Sequence, residues 1–373
     1  MSNNYSEECI KVLKQLAKKK NVVLMGPPAT GKSRIMNEIA QAFMDEELYT
    51  SVANPVHSPE AVVPIPRNTV GKVNESFPGN NRTVRNVFRT TFHQNTKYRD
   101  FISGIMPDIT QPGAYKVNMG TLYRASEFAK QDKGASLLII DEMNRGSAVE
   151  IFGGSLVAIE QDKRLDENNK ETINTQKFEL LNHSGNMEEY AFPKHLYILA
   201  AMNQADSSVA PLDVAFLRRW SSYKMKPNKS ELYKKYGNNN EIKGKPENIE
   251  DIYNVAIRAW ELINQRIEIG RGADYQIGQG IFFANILDKA STIETALQDI
   301  LDIWPYIYSH IEECFWGDLR SIATVLNVDG INRNHIIHLE VKNFAEEQKY
   351  VLEIPEVNIR NIYEFYYEII GEQ

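Results

Sequence analysis

Residues Val22-Val23-Leu24-Met25 form a continuous apolar run that stops at Gly26-Pro27-Pro28-Ala29-Thr30-Gly31-Lys32-Ser33, and apolar residues then recur at Ile35, Ile39, Ala40 and Phe43. No other stretch constrains the fold as strongly. A short uninterrupted apolar run reads as a strand buried on both faces, and spacings of three and four read as one face of a helix. Between them lies the complete pattern G-x-x-x-x-G-K-[ST]. Its glycines let the backbone turn so that successive N–H groups face one anion, and the helix that follows adds the positive end of its dipole. In this reading Gly26, Pro27, Pro28, Ala29, Thr30 and Gly31 wrap the phosphates of a nucleoside triphosphate. Lys32 reaches the β- and γ-phosphates and Ser33 coordinates Mg²⁺.

Two further strands carry polar tips. Ala135-Ser136-Leu137-Leu138-Ile139-Ile140 ends in Asp141-Glu142, and Leu196-Tyr197-Ile198-Leu199-Ala200-Ala201 ends in Met202-Asn203. Strands alternating with helical segments predict an α/β fold with a parallel, doubly wound sheet, whose ligands bind beyond the carboxyl ends of the strands. There Asp141 can serve the metal, Glu142 can take a proton from the attacking water, and Asn203 can orient that water. Outside this context, two acids after a strand are commonplace and an Asn at a strand tip simply caps a turn. Arg218-Arg219 close a helix predicted to begin near Asp213. They either meet a neighbouring subunit's nucleotide or rest against the negative end of their own helix.

At 373 residues the chain is long enough for more than one core. Residues 1–227 are expected to form the α/β domain, with an insertion over about 48–86 that is rich in Pro, Asn, Ser and Gly. A small helical lid is expected over 228–318 and an α+β extension over 319–373. Apolar spacing predicts helices from Glu7 to Ala17, Lys97 to Ile105, Gly120 to Lys130, Ile252 to Ile267, Ile293 to Ile311 and Ile359 to Ile370. Pro112-Gly113 predicts a hairpin turn. A net charge of -7 argues against a grip on nucleic acid through bulk electrostatics, and Lys18-Lys19-Lys20 reads as a solvated helix end. Cys9 and Cys314 give neither a disulfide framework nor a zinc spacing. With no apolar run near the roughly 20 residues of a membrane helix and no leader-like pattern in Met1 to Lys20, a cytoplasmic protein is expected.

Several segments together resemble the McrB family of AAA+ motors. They are Phe92-His93-Gln94-Asn95-Thr96-Lys97-Tyr98-Arg99-Asp100-Phe101-Ile102-Ser103-Gly104, Ile140-Asp141-Glu142-Met143-Asn144-Arg145-Gly146, Met202-Asn203-Gln204-Ala205-Asp206-Ser207-Ser208, Leu212-Asp213-Val214-Ala215 and Arg218-Arg219-Trp220. The resemblance runs in one order from about Asn21 to Asp318. It implies hydrolysis of GTP, though ATP stays open here, a homo-oligomeric and hexameric ring, and an McrC-like nuclease partner in restriction and antiviral defence. It also implies that Asn203 with Asp206 forms a sensor turn and that Arg218 and Arg219 act across the subunit interface. The chain departs from the family in three places. Only some twenty residues precede the first strand, so DNA contact is expected to be indirect or through the partner. The sensor signature carries Gln204 and Ser207, and the family's Arg-Ile-Gly-His in the lid is Gln276-Ile277-Gly278-Gln279. A MoxR-like chaperone, which shares this style of acidic strand end, and a nucleotide-bound scaffold with little turnover stay open as alternatives.

Overall fold

Strands that are apolar on both faces need helices above and below them, and the chain supplies both. The computed structural model describes residues 5–45, 82–205, 212–328, 336–345 and 347–371. They fall into two compact units, one of residues 1–25 and 32–224, the other of residues 26–31 and 225–373.

The first unit is built on a five-stranded parallel sheet in the order β2-β5-β8-β1-β9. Its strands are β1 (Asn21–Gly26), β2 (Val84–Thr91), β5 (Gly134–Asp141), β8 (Leu196–Asn203) and β9 (Ser221–Lys224). β1 is buried along its whole length, and β5 and β8 are buried up to their last residue. These are the three strands whose apolar runs are continuous in the sequence, as strands covered on both faces require. Around them lie α1 (Glu7–Lys19), α2 (Lys32–Met44), a single turn α3 (Tyr98–Phe101), α4 (Thr121–Lys130), α5 (Ala148–Phe152) and α6 (Val214–Leu217). Two hairpins complete the unit, β3 (Ser103–Pro107) with β4 (Tyr115–Met119), and β6 (Phe178–Leu181) with β7 (Met187–Tyr190).

The helix expected from Lys97 to Ile105 is corrected to one turn followed by a strand. The Asp100 carboxylate accepts from the Lys97 amide at 2.9 Å and closes the turn, after which Ser103 to Pro107 pairs with Tyr115 to Met119. Antiparallel pairing with a distant segment outweighs local spacing here, and Ile105 is left on the exposed face. Most of the expected insertion, residues 46–81, lies outside the described residues, and Val84–Asn86 belong to β2.

Under the ends of β5 and β8 sits an aromatic cluster. Phe92, Phe101 and Phe152 meet edge to face at 5.0 to 6.3 Å, and Phe152 continues to Phe216 at 5.6 Å and Trp220 at 6.0 Å. Each such pair adds about 0.5–1.5 kcal/mol beyond its buried area. The cluster therefore seats Met143, which follows Glu142, and Trp220, which follows Arg219, on one rigid floor.

At the opposite edge of the sheet, Lys20 is buried with its ammonium 3.2 Å from the Tyr197 hydroxyl. Burial first, and then the positive charges of Arg164 and Lys194, pull its pKa down to about 7. Between pH 7 and about 10.5 the unfolded chain holds a proton that the folded chain lacks, so this lysine makes stability rise with pH across that window. Lys20→Met is expected to remove about 3 kcal/mol of the gain between pH 7 and 9.5. Urea unfolding of both proteins at the two pH values reads it, and equal gains would refute the buried lysine as its source.

The second unit is mainly helical. It contains α7 (Lys229–Lys235), α8 (Ile249–Arg271), α9 (Gly280–Asn285), α10 (Ile293–Cys314), α11 (Leu319–Val325) and α12 (Ile362–Ile370), with one hairpin, β10 (His338–Phe344) and β11 (Glu347–Glu353). One core joins Trp260 and Ile263 of α8, Ile303 and Trp304 of α10, and Phe365 and Tyr366 of α12. Residues from both the expected lid and the expected extension thus share that core. Among the described residues, no helix is long and apolar enough to cross a membrane.

Candidate functional site

A parallel sheet brings the carboxyl ends of its strands to one edge. β5 and β8 are neighbours in register, with Ile140 opposite Ala200, so Asp141 and Asn203 emerge side by side. Glu142 follows in a left-handed conformation, φ 52° and ψ 45°, which is uncommon for a residue with a side chain and turns its carboxylate back toward Asn203. The Asn203 Nδ2 donates to both carboxylate oxygens, at 3.1 and 3.3 Å, and Arg145 Nε stands 3.2 Å from Oε2. Asn144 secures the arrangement by donating from Nδ2 to the Asn203 carbonyl at 2.7 Å. The carboxamide oxygens of Asn144, Asn203 and Gln204 are buried and find no hydrogen-bond partner among the described residues.

Lys32 opens α2 and is 8% exposed. Burial pulls its ammonium down to about 8, while the negative charges of Glu142 and Asp141 act in the opposite direction. Those two carboxylates are therefore within electrostatic range of it. Ser33 follows on the exposed side of the helix. The loop Gly26–Gly31 packs with the second unit. Within it Thr30 Oγ1 donates to the Pro27 carbonyl at 2.9 Å, and Ala29 holds a left-handed φ of 59°.

The donor set suits Mg²⁺. Ser33 and Asp141 offer a hydroxyl and a carboxylate, hard oxygens of the kind Mg²⁺ takes in small number while drawing its other ligands from phosphate and water. Among the described residues there is no cluster of three or more His, Cys, Asp or Glu side chains that would cage a metal without a nucleotide. The orphaned amide oxygens beside Asp141 add acceptors for ordered water.

Lys32, Asp141, Glu142 and Asn203 are thus brought together, whereas Arg218 and Arg219 are not. Ser221 pairs with Val22, and the Asn21 Nδ2 donates to the Arg219 carbonyl at 3.2 Å, so both arginines lie at the amino edge of the sheet. β1 separates that edge from Gly26 by about 16 Å at roughly 3.3 Å per residue. Arg219 is held within the chain: Nε lies 3.0 Å from Glu160 Oε1, Nη1 donates to the Ala215 carbonyl, and only 8% of the side chain is exposed. Arg218 is exposed beside it, and both line an open polar cavity of about 870 Å³ with Glu160 and Trp220. Asp206, expected in the sensor turn, lies outside the described residues together with Ser207 and Ser208.

Sequence reasoning assigned no role to Asn144, Arg145 or Glu160. The first two follow Asp141-Glu142 directly and their positions were a usable signal. Glu160 is nearly sixty residues from its partner Arg219, and no local pattern marks it.

Residues 80–220 match the family described as AAA domain, dynein-related subfamily. The chain is 27% identical over 316 residues to the EcoKMcrB subunit of the type IV methyl-directed restriction enzyme of Escherichia coli strain K12, covering 82% of this chain and 56% of that protein. It is 36% identical over 86 residues to YdiS, a component of the type II restriction enzyme BsuMI of Bacillus subtilis strain 168, covering 23% of this chain and 25% of that one. The chain thus spans about half the length of the first relative and a quarter of the second. Among solved structures, C. elegans PCH-2 covers 83% of this chain and 71% of its own at 12% identity, with a TM-score of 0.33, a likeness too slight to build on. Residues 80–220, which carry the acidic and amide strand ends, thus match the dynein-related AAA family, and over 82% of its length the chain resembles the McrB subunit at 27% identity.

Proposed function

We propose that the chain is the motor subunit of a homo-oligomeric, hexameric ring that hydrolyses GTP or ATP with Mg²⁺ and energises an McrC-like nuclease in DNA restriction and antiviral defence. The observation that carries this reading is the convergence of Lys32, Asp141, Glu142 and Asn203 at one sheet edge. Similarity to two proteins named as restriction-enzyme components supports the biological setting. DNA is reached through the partner, and the work is done in the cytoplasm.

The chemistry follows from the side chains. Lys32 is buried by the fold itself and, with its pKa lowered only to about 8, meets the phosphates mostly as an ammonium at pH 7. Ser33 and Asp141 would hold Mg²⁺, which when bound offsets the negative charge of the transferring phosphoryl group. Glu142 accepts the proton of the attacking water. Asn203 holds the Glu142 carboxylate until the water arrives, then shares its amide between them. Arg218 completes the site of the adjacent subunit, since its own site lies at the far edge of the sheet.

The test is steady-state hydrolysis of GTP and ATP side by side with Mg²⁺, at protein concentrations that span assembly. A rate per subunit that rises as the ring forms supports the reading. A preference for GTP favours the restriction motor, and a preference for ATP favours the MoxR-like remodeller. Absence of turnover of either nucleotide at every concentration, with the nuclease subunit present, would falsify hydrolysis as the function.

A further inference from the structure

A loop that turns its amides toward a phosphate must turn carbonyls away from it, and each buried carbonyl needs a donor elsewhere. In this chain the donors come from the second unit, to which Gly26–Gly31 itself belongs. The Gly278 amide donates to the Pro28 carbonyl at 3.1 Å, the Gly280 amide to the Ala29 carbonyl at 2.7 Å, and Gln279 Nε2 to the Thr30 carbonyl at 3.3 Å. Three consecutive carbonyls of the loop are thus held by three consecutive residues of one segment.

The fit leaves no slack. A Cβ on Gly278 would stand 2.1 Å from the carbonyl carbon of Ala29, and one on Gly280 would stand 2.6 Å from its oxygen. Ala29 sits in the left-handed region, a conformation that costs about 1 kcal/mol or more and persists only where its surroundings impose it. The segment is itself fixed. Ile277 exchanges hydrogen bonds with the buried Asn264 side chain, at 2.6 Å from its amide and 2.9 Å to its carbonyl, and Trp260 Nε1 donates to that carbonyl at 3.1 Å. Gln279 is 4% exposed and fully engaged: its Oε1 accepts from the Asn228 amide at 3.1 Å and its Nε2 also reaches Glu231 Oε2 at 3.2 Å. Gln276 is tied the same way, to the Asn264 carbonyl and to Glu268. Neither glutamine has a donor to spare for a ligand.

We infer that Gln276–Gly280 is a clamp that holds the phosphate-binding loop in its nucleotide-accepting conformation, with Gln279 as the positioning residue that couples Thr30 to the start of α7. The inference rests on the reading of Gly26–Ser33 as a nucleotide site and adds the device that shapes it. Gln279 ties the loop to the start of α7 and Gln276 anchors the segment to α8, so the clamp governs how well the loop is preorganised.

The test uses Gln279→Met, which keeps the length of the side chain and removes its hydrogen bonds, with Gln279→Ala as a second variant. The full chain is titrated with fluorescent mant-GTP and mant-ATP in Mg²⁺, and KM, kcat and the melting temperature are measured alongside. The clamp predicts that Kd and KM rise about tenfold in both variants, while kcat stays within about threefold and the melting temperature of the nucleotide-free protein falls by only a few degrees. Wild-type Kd in a folded Gln279→Met or Gln279→Ala protein overturns the clamp and leaves the nucleotide site standing. Failure of the wild-type chain to bind either nucleotide overturns the site itself, and the clamp with it.

Discussion

Glu142→Gln is expected to lower the rate of nucleotide hydrolysis by about 10²–10⁴ while nucleotide binding and assembly persist. The fall corresponds to about 3–5 kcal/mol of lost transition-state stabilisation. Glutamine keeps the shape of the side chain and can still accept from Asn203 Nδ2, so the strand ends stay in place. What it loses is the ability to take a proton from water. The left-handed backbone of Glu142 does not depend on the carboxylate charge, and its ion pair with the half-exposed Arg145 becomes a neutral contact at a cost of about 1 kcal/mol or less. Single-turnover hydrolysis with saturating nucleotide, beside a binding titration, separates the two effects. An unchanged rate would move the base to another residue and reopen the scaffold reading; lost binding would make Glu142 part of the nucleotide pocket instead.

The residues of this site differ in how far the sequence exposed them. Gly26 to Ser33 carry a pattern that is short, contiguous and chemically demanding, and Asp141 and Asn203 end strands whose buried runs are unmistakable. Continuous apolar runs report the central strands because those strands are covered on both faces. β9 was missed for the opposite reason: Ser221-Ser222-Tyr223-Lys224 is an edge strand, half exposed, with no apolar run to announce it. Its pairing with β1 nevertheless decides where Arg218 and Arg219 lie. The clamp was equally hidden. Gln276 to Gln279 could be read as a loss of cations, but that Gly278 and Gly280 donate to carbonyls some 250 residues away is a tertiary fact that no local pattern holds.

The same logic divides the arginine pair. Arg218→Ala in the assembled ring is expected to slow turnover by about 10³ with nucleotide affinity nearly intact, the scale of a cation aimed at a transferring phosphoryl group from outside its own subunit. Arg219→Ala is expected to slow it by more than tenfold through a different route. Its guanidinium is committed to Glu160 and to the Ala215 carbonyl, and removing it strands a partly buried carboxylate and loosens the turn that presents Arg218. A lower melting temperature should therefore accompany Arg219→Ala and be absent from Arg218→Ala. Mixing decides whether the cation acts in trans. Subunits carrying Arg218→Ala keep a sound phosphate loop, and subunits carrying Lys32→Ala keep a sound arginine, so a mixed ring regains hydrolysis at interfaces where the Lys32→Ala subunit faces the loop of the Arg218→Ala subunit. A wild-type rate for Arg218→Ala in the ring, or a mixture no faster than its two inactive components, would show that the exposed arginine serves some contact other than the neighbour's nucleotide.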